Sequence, residues 1–112
     1  MAPISAAVVA LLAISTATSR ADTVAYLVNV TVRPGYNFAN AADAIGYGQT
    51  LCDKVKDGES FGSMVADVDR DFDTTDEYQG SYLIAQAVNE LCPAQIWKLR
   101  HSAANYSPGG LP

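Results

Sequence analysis

The stretch AIGYGQTLCDKVKDGES, residues 44–60, contains the residues on which the prediction of the fold depends. Four small or apolar residues recur in it at helical spacing: Ile45, Gly48, Cys52 and Val55. They fall on one face of a helix, which therefore has a side to bury. Asn40 precedes this helix as a suitable N-cap, and Gly58 follows it at a position where helices commonly end.

Two glycines, Gly46 and Gly48, lie inside this predicted helix. Each costs up to about 1 kcal/mol in helix propensity, so their presence needs a reason. We expect them to permit the close approach of a neighbouring helix. A flexible hinge is the alternative.

Two further amphipathic helices follow along the chain. After Ser60 as N-cap, an apolar stripe recurs at helical spacing: Phe61, Met64, Val65, Val68 and Phe72. The next helix begins with Thr74 and Glu77, which have the spacing of a capping box. Its broad apolar face comprises Tyr78, Tyr82, Ile84, Ala85, Val88 and Leu91. Cys92 lies at its end, and Pro93 stops it.

The segment DTVAYLVNVTV, residues 22–32, has an ambiguous pattern. Valines and a tyrosine alternate with other residues, which is the period of a strand, in residue types that favour strands. A turn at Pro34-Gly35 ends the segment. A single strand without a partner leaves its backbone groups unpaired, however, so local propensity and the rest of the chain disagree here.

An acidic run, DVDRDFDTTDE, spans residues 67–77 and contains six of the twelve acids of the chain. A calcium loop of the EF-hand type requires glycine at its sixth position and glutamate at its twelfth. Starting at Asp67 puts Phe72 at the sixth position, and starting at Asp69 puts Thr74 there. Neither register forms the cage, so we predict no metal site.

We interpret the acids instead as the solvated side of a helix and a short turn. Asp67, Asp71 and Asp73 are candidates for a surface that contacts a basic protein partner. Plain solubility is the alternative role for the same three residues.

The N-terminus has the features of a secretory signal peptide. Ala6 to Ile14, AAVVALLAI, is an unbroken apolar run, followed by small residues up to Ala21. The run is too short to span a bilayer, which takes about 20 apolar residues. No lysine or arginine precedes it, which departs from the usual pattern, and a buried N-terminal helix is the alternative. We predict cleavage after Ala21 and a secreted or cell-envelope location, with no stable membrane span afterwards.

Cys52 and Cys92 are the only cysteines, and an even number in an exported chain suggests a disulfide. A bond between them would close a loop of 41 residues, counting 52 through 92. In the chain-entropy model such a loop stabilises the fold by roughly 4 kcal/mol. Two free buried thiols are the alternative, and a metal-binding pair lacks partner ligands.

Beyond Pro93 we expect a short helix around Ile96, Trp97 and Leu99, with Trp97 docked onto the bundle. The last residues, SPGGLP, form a tail with little to bury. The chain is thus divided into a signal peptide, residues 1–21, a domain, residues 22–93, and a short helix with a flexible tail, residues 94–112.

The stretches AIGYGQTLCDKVKDGES and AQAVNELCP, the latter at residues 85–93, resemble a family of exported actinobacterial, chiefly mycobacterial, proteins. The family is known only as domain of unknown function 732. The shared pattern comprises Ala44, Ile45, Gly48, Cys52, Gly58, Cys92 and Pro93. The resemblance implies an all-α fold, a bundle of about four helices with one disulfide between Cys52 and Cys92. It also implies a helix at residues 22–32, and it supplies no catalytic residues.

Few residues of the chain are suited to catalysis. His101 is the only histidine, and no serine lies in a nucleophile elbow. We therefore predict a non-catalytic protein without a cofactor, acting through contacts with a protein partner in the cell envelope or outside the cell. The net charge of −5 argues against nucleic-acid binding. A carrier of haem or a lipid is the alternative function, with Tyr47 and Tyr82 as candidate iron ligands.

Overall fold

The computed structural model describes residues 20–107, which form an all-helical bundle. Its helices are α1 (Arg20–Val32), α2 (Ala41–Lys56), α3 (Phe61–Asp71), α4 (Glu77–Leu91) and α5 (Ile96–Ala103), with a 3₁₀ turn at Pro93–Gln95 before α5. The predicted all-α class is confirmed, and the described residues contain no strand. The predicted signal peptide lies outside the described residues except for Arg20 and Ala21, which open α1. The predicted tail lies outside them after residue 107.

Helix α4 forms the centre of the bundle and contacts each of the other four helices. Its buried residues repeat at i, i+1, i+4 and i+5, so that they cover about half of the helix surface: Gln79, Gly80, Leu83, Ile84, Ala87, Val88 and Leu91. A helix with so broad a buried face can pack against several neighbours at once. The core accordingly lies around α4, with α1, α2 and α3 arranged about it.

The segment 22–32, whose sequence pattern was ambiguous, lies in helix α1, as the family resemblance implied. The alternating residues divide into two sets with four-residue spacing on opposite sides of the helix. Tyr26 and Val30 are fully buried, at 0% and 2% exposure. The other set is exposed, with Val24 at 57%, Val28 at 53% and Val32 at 72%. Burial of the first set against the bundle outweighs the local preference of valine for strands.

At Gly48, helices α1 and α4 approach α2 closely, and the predicted close approach is confirmed at this position. A β-carbon at Gly48 would lie 2.5 Å from Leu91 Cδ1 and 2.8 Å from the Tyr26 hydroxyl. The same hydroxyl donates a hydrogen bond of 2.7 Å to the carbonyl of Ala44, which lies one turn before Gly48 on α2. The prediction was wrong for Gly46, because a β-carbon there would meet nothing within 4 Å.

The caps of α2 and α3 are confirmed, but that of α4 differs from the prediction. Asn40 accepts a hydrogen bond from the Asp43 amide, and Ser60 accepts one from the Ser63 amide. The predicted capping box of Thr74 and Glu77 is wrong. Asp76 is the N-cap of α4 and accepts from the Tyr78 amide, while the Thr74 hydroxyl oxygen accepts from the Asp76 amide. Thr74 thus still belongs to the turn that ends α3, since its own amide donates to the Asp69 carbonyl.

Helix α5 exists as predicted, but Trp97 does not dock onto the bundle. The Trp97 side chain is 72% exposed, whereas Leu99 is buried. Because Trp97 and Leu99 are two residues apart on a helix, their side chains point in roughly opposite directions, and only one of them can face the core. Arg100 covers the Trp97 ring from outside, at 5.2 Å from its centroid.

No helix in the described part of the chain combines the length and the hydropathy that crossing a bilayer requires.

The two glycines of α2 provide a matched pair of substitutions. We expect Gly48→Ala to lower the free energy of unfolding by about 1–3 kcal/mol, because the added carbon overlaps Leu91 and Tyr26. Gly46→Ala should raise it by about 0.5–1 kcal/mol, because the position is open and alanine favours the helix. Urea denaturation followed by circular dichroism measures both values. A shift of the same sign in both variants would contradict this packing.

Candidate functional site

The disulfide between Cys52 and Cys92 joins α2 to the end of α4. The two α-carbons lie 6.1 Å apart, within the range that disulfides require. Cys52 is buried and Cys92 is partly buried, and neither cysteine is free. Both sulfurs are therefore unavailable as a nucleophile or as metal ligands in this state.

The structure places Asp67, Asp71 and Asp73 in three different environments. Asp67 pairs with Lys54 at 2.9 Å and with Arg70 at 3.3 Å. Its pKa is lowered, first by a hydrogen bond with Glu59 and then by Lys54. Asp67 is thus largely neutralised by cations of the protein itself. A role of the three acids as a contact surface stays a prediction.

The other two acids are more accessible. Asp71 Oδ2 accepts a hydrogen bond of 2.8 Å from the Tyr47 hydroxyl, and its second oxygen lies 3.9 Å from the Nε of Arg70. Asp73 is exposed in the turn after α3, at a positive φ of 51°. Asp71 lines a cavity together with Tyr47 and Phe72.

An aromatic cluster lies next to Asp71 and was not predicted from the sequence. Four rings meet, with centroids 5.2–6.2 Å apart: Tyr36, Phe38, Tyr47 and Phe72. Phe72 packs edge-on against each of the other three. The rings come from the loop between α1 and α2, from α2 itself and from the end of α3, so no local sequence pattern indicates that they are neighbours.

Gln79 of α4 holds the loop between α1 and α2 in place. Its side-chain oxygen accepts from Arg33 Nε, and its side-chain nitrogen donates to the Pro34 carbonyl, both at 2.7 Å. The Tyr36 hydroxyl donates to the backbone carbonyl of Gln79. Gly35 has a φ of 114°, and a β-carbon there would lie 2.2 Å from the Gln79 side-chain nitrogen, so glycine is required. These contacts fix the loop that delivers Tyr36 and Phe38 to the cluster.

A shallow groove of about 490 Å³ runs across the cluster, and we call it the aromatic groove. Its principal lining residues are Phe38, Asp43, Gly46, Tyr47, Asp71 and Phe72. Burial, followed by the hydrogen bond to Asp71, raises the Tyr47 pKa well above the ordinary value of a tyrosine. Tyr47 therefore stays a neutral phenol that donates to the Asp71 carboxylate.

The candidate haem ligands do not share a cavity. Tyr47 lines the aromatic groove, whereas Tyr82 lines a separate cavity with Arg33 and Phe61. The Tyr82 hydroxyl donates to the Asn29 carbonyl at 3.3 Å, and the Arg33 guanidinium lies 4.5 Å from its ring centroid. Within residues 20–107, no three histidine, cysteine or acidic side chains are grouped so as to hold a metal ion.

The sequence model of the family described as "Protein of unknown function (DUF732)" matches residues 21–94. The chain belongs to this family. The DUF732 match includes both cysteines, the aromatic cluster and helices α2 to α4, whereas α5 lies beyond it. No curated protein and no solved structure matches the chain significantly.

One carboxylate oxygen of the DUF732 domain is buried without a hydrogen-bond partner among residues 20–107, although the residue that carries it is half-buried. Asp69 Oδ1 has no hydrogen-bond partner in the described residues and lies against the α4 backbone at Gly80. Burial, followed by the charges of Glu77 and Asp76, raises the Asp69 pKa. In the folded state Asp69 therefore binds its proton more tightly than in the unfolded chain.

This burial predicts a pH-dependent effect of Asp69→Asn on stability. At pH 7 the variant should have the higher free energy of unfolding, because it removes a charge that the fold disfavours. This gain in the free energy of unfolding should shrink as the pH falls below the raised pKa of folded Asp69, because the wild-type side chain then becomes neutral as well. Little of the gain should remain near pH 4, about the ordinary pKa of an aspartate.

Denaturation curves from pH 4 to pH 8 test this, with Asp53→Asn as a control that makes the same charge change at an exposed site. A variant less stable than the wild type at pH 7, or a gain that does not change with pH, would contradict the assignment.

Proposed function

We propose that this protein is exported and acts through contacts with a protein partner in the cell envelope or outside the cell, without catalysing a reaction. Two features support export. The N-terminal sequence has the apolar run and small residues of a signal peptide. Both cysteines are joined in a disulfide, a bond that persists in oxidising compartments and is rare in the cytosol.

The observation that carries the proposal is the outer side of α1. Val24, Val28 and Val32 lie one turn apart on it and are each more than half exposed; we call them the valine stripe. Residues 23–32 include no charged residue, in a chain with twelve acids and seven basic residues. Interface cores are similarly depleted of charge. Covering the stripe with a partner would contribute roughly 1 kcal/mol per valine to the free energy of binding.

The surroundings of the stripe extend the surface available to a partner. On one side, Asn29 donates a hydrogen bond of 2.7 Å to Gln86 and fixes α1 to α4. On the other side, Leu27 and Thr31 border a cavity of about 420 Å³ between α1 and α2. A partner helix with small apolar residues fits along the stripe and beside this cavity.

Carriage of haem or a lipid is the alternative function. The cavity between α1 and α2 is within the size range of small-ligand sites, and its volume is the feature that supports this alternative. The two candidate tyrosine ligands lie in separate cavities, which weakens the haem version. Protein contact is therefore the better supported proposal.

Site-specific photo-crosslinking in the native host tests the proposal. We expect a photoreactive phenylalanine analogue at Val32 to give a discrete protein adduct. The same analogue at Trp97, which is equally exposed at 72%, is the matched control and should give none. Adding Val28→Lys to the Val32 probe should abolish the adduct while the thermal unfolding curve stays unchanged. Equal labelling from both positions, no adduct from either, or an adduct that survives Val28→Lys would contradict the role of α1.

A further inference from the structure

We propose that the aromatic groove binds lysine or arginine side chains from a basic segment of a partner protein. The groove is formed by the loop before α2, by α2 and by the end of α3, whereas the valine stripe lies on α1. The inference therefore goes beyond the proposed contact through α1.

The rings of the groove suit a cation. Phe38, Tyr47 and Phe72 are partly buried and contact one another at centroid distances of 5.2–5.9 Å. All three rings line the groove, and aromatic ring faces attract ammonium and guanidinium groups. Three such rings at the surface of an acidic protein form a local site for positive charge.

Carboxylates from two helices flank these rings. Asp43 lies in the first turn of α2 and is exposed, and Asp71 lies at the end of α3. The nearby basic residues Lys54 and Arg70 make their closer ion pairs with Asp67, at 2.9 and 3.3 Å. The contact of Arg70 with Asp71 is longer, at 3.9 Å. The groove therefore keeps negative charge that a basic partner can neutralise.

Gly46 provides an independent argument for an occupant. Glycine inside a helix lowers its stability, and at Gly48 close packing explains the cost. At Gly46 a β-carbon would meet nothing within 4 Å, so packing within the protein offers no explanation. The missing side chain leaves space in the groove beside Tyr47, where an incoming basic side chain would lie.

Other ligand classes fit the groove less well. The groove is lined by two carboxylates, and the described residues contain no group of three or more histidine, cysteine or acidic side chains that could hold a metal ion. Nucleic acids and anionic lipid headgroups would be repelled by the same two carboxylates. Aromatic faces combined with acids favour a basic peptide.

Fluorescence anisotropy with a fluorescein-labelled decapeptide of alternating arginine and glycine tests the inference. We expect saturable binding that weakens with added salt, and none to the matching glutamate peptide. Gly46→Leu adds a side chain to a residue that lines the groove, at a position where a β-carbon meets nothing within 4 Å, and should weaken binding by about tenfold. Asp43→Asn combined with Asp71→Asn should weaken it by about fivefold or more.

The matched control is Asp53→Asn combined with Asp57→Asn, which removes the same charge near the other end of α2. It should change the affinity by less than about twofold, because neither of these two acids lines the groove. Equal weakening by the two double variants, binding unaffected by Gly46→Leu, or no saturable binding by the wild type would each overturn the proposal. Because the valine-stripe residues are not altered in these variants, failure here is distinguishable from failure of the contact through α1.

Discussion

The disulfide between Cys52 and Cys92 is the constraint on which the rest of the structure depends. It joins residues 40 positions apart and closes a loop that holds all of α3 and α4. A loop of this length stabilises the fold by about 4 kcal/mol in the chain-entropy model, against a total of about 5–15 kcal/mol for typical domains. The bond also lies one turn from Gly48 and directly beside Leu91, which contact each other. The disulfide and this contact therefore form one junction between α2 and α4.

The arrangement around this junction determines which surfaces stay available. Because α4 occupies the centre, α1 buries Tyr26 and Val30 and leaves its valine stripe exposed. Gln79, also on α4, fixes the loop that brings Phe38 to Tyr47 and Phe72. One central helix thus positions two surfaces of different chemistry, one uncharged and apolar, the other aromatic and acidic. The two proposed contacts therefore lie on separate surfaces of one domain.

Much of the bundle was predictable from local patterns. Periodicity and capping residues located α2 and α3, since Asn40, Ser60 and the apolar stripes act within a few residues of each other. The segment of α1 was not decided by its own residues, because its valines alternate as in a strand while their four-residue spacing also suits a helix. The family resemblance supplied the correct choice.

Most of the features that escaped prediction depend on tertiary contacts, and the N-cap of α4 depends on the local turn before it. The aromatic cluster joins residues from three elements, and the role of Gln79 depends on a loop more than 40 positions away. The N-cap of α4 shifted from Thr74 to Asp76 because the turn after α3 uses Thr74. Trp97 is exposed because Leu99, on the opposite side of α5, occupies the core.

The redox state of the two cysteines in protein purified from its own host tests the account most directly. The protein is denatured with an alkylating reagent present, with or without prior reduction, and its intact mass is measured. If the disulfide is present in the native protein, no cysteine should be alkylated without prior reduction, and two should be alkylated after reduction. Two alkylated cysteines without reduction would contradict both the junction of α2 with α4 and the proposed export.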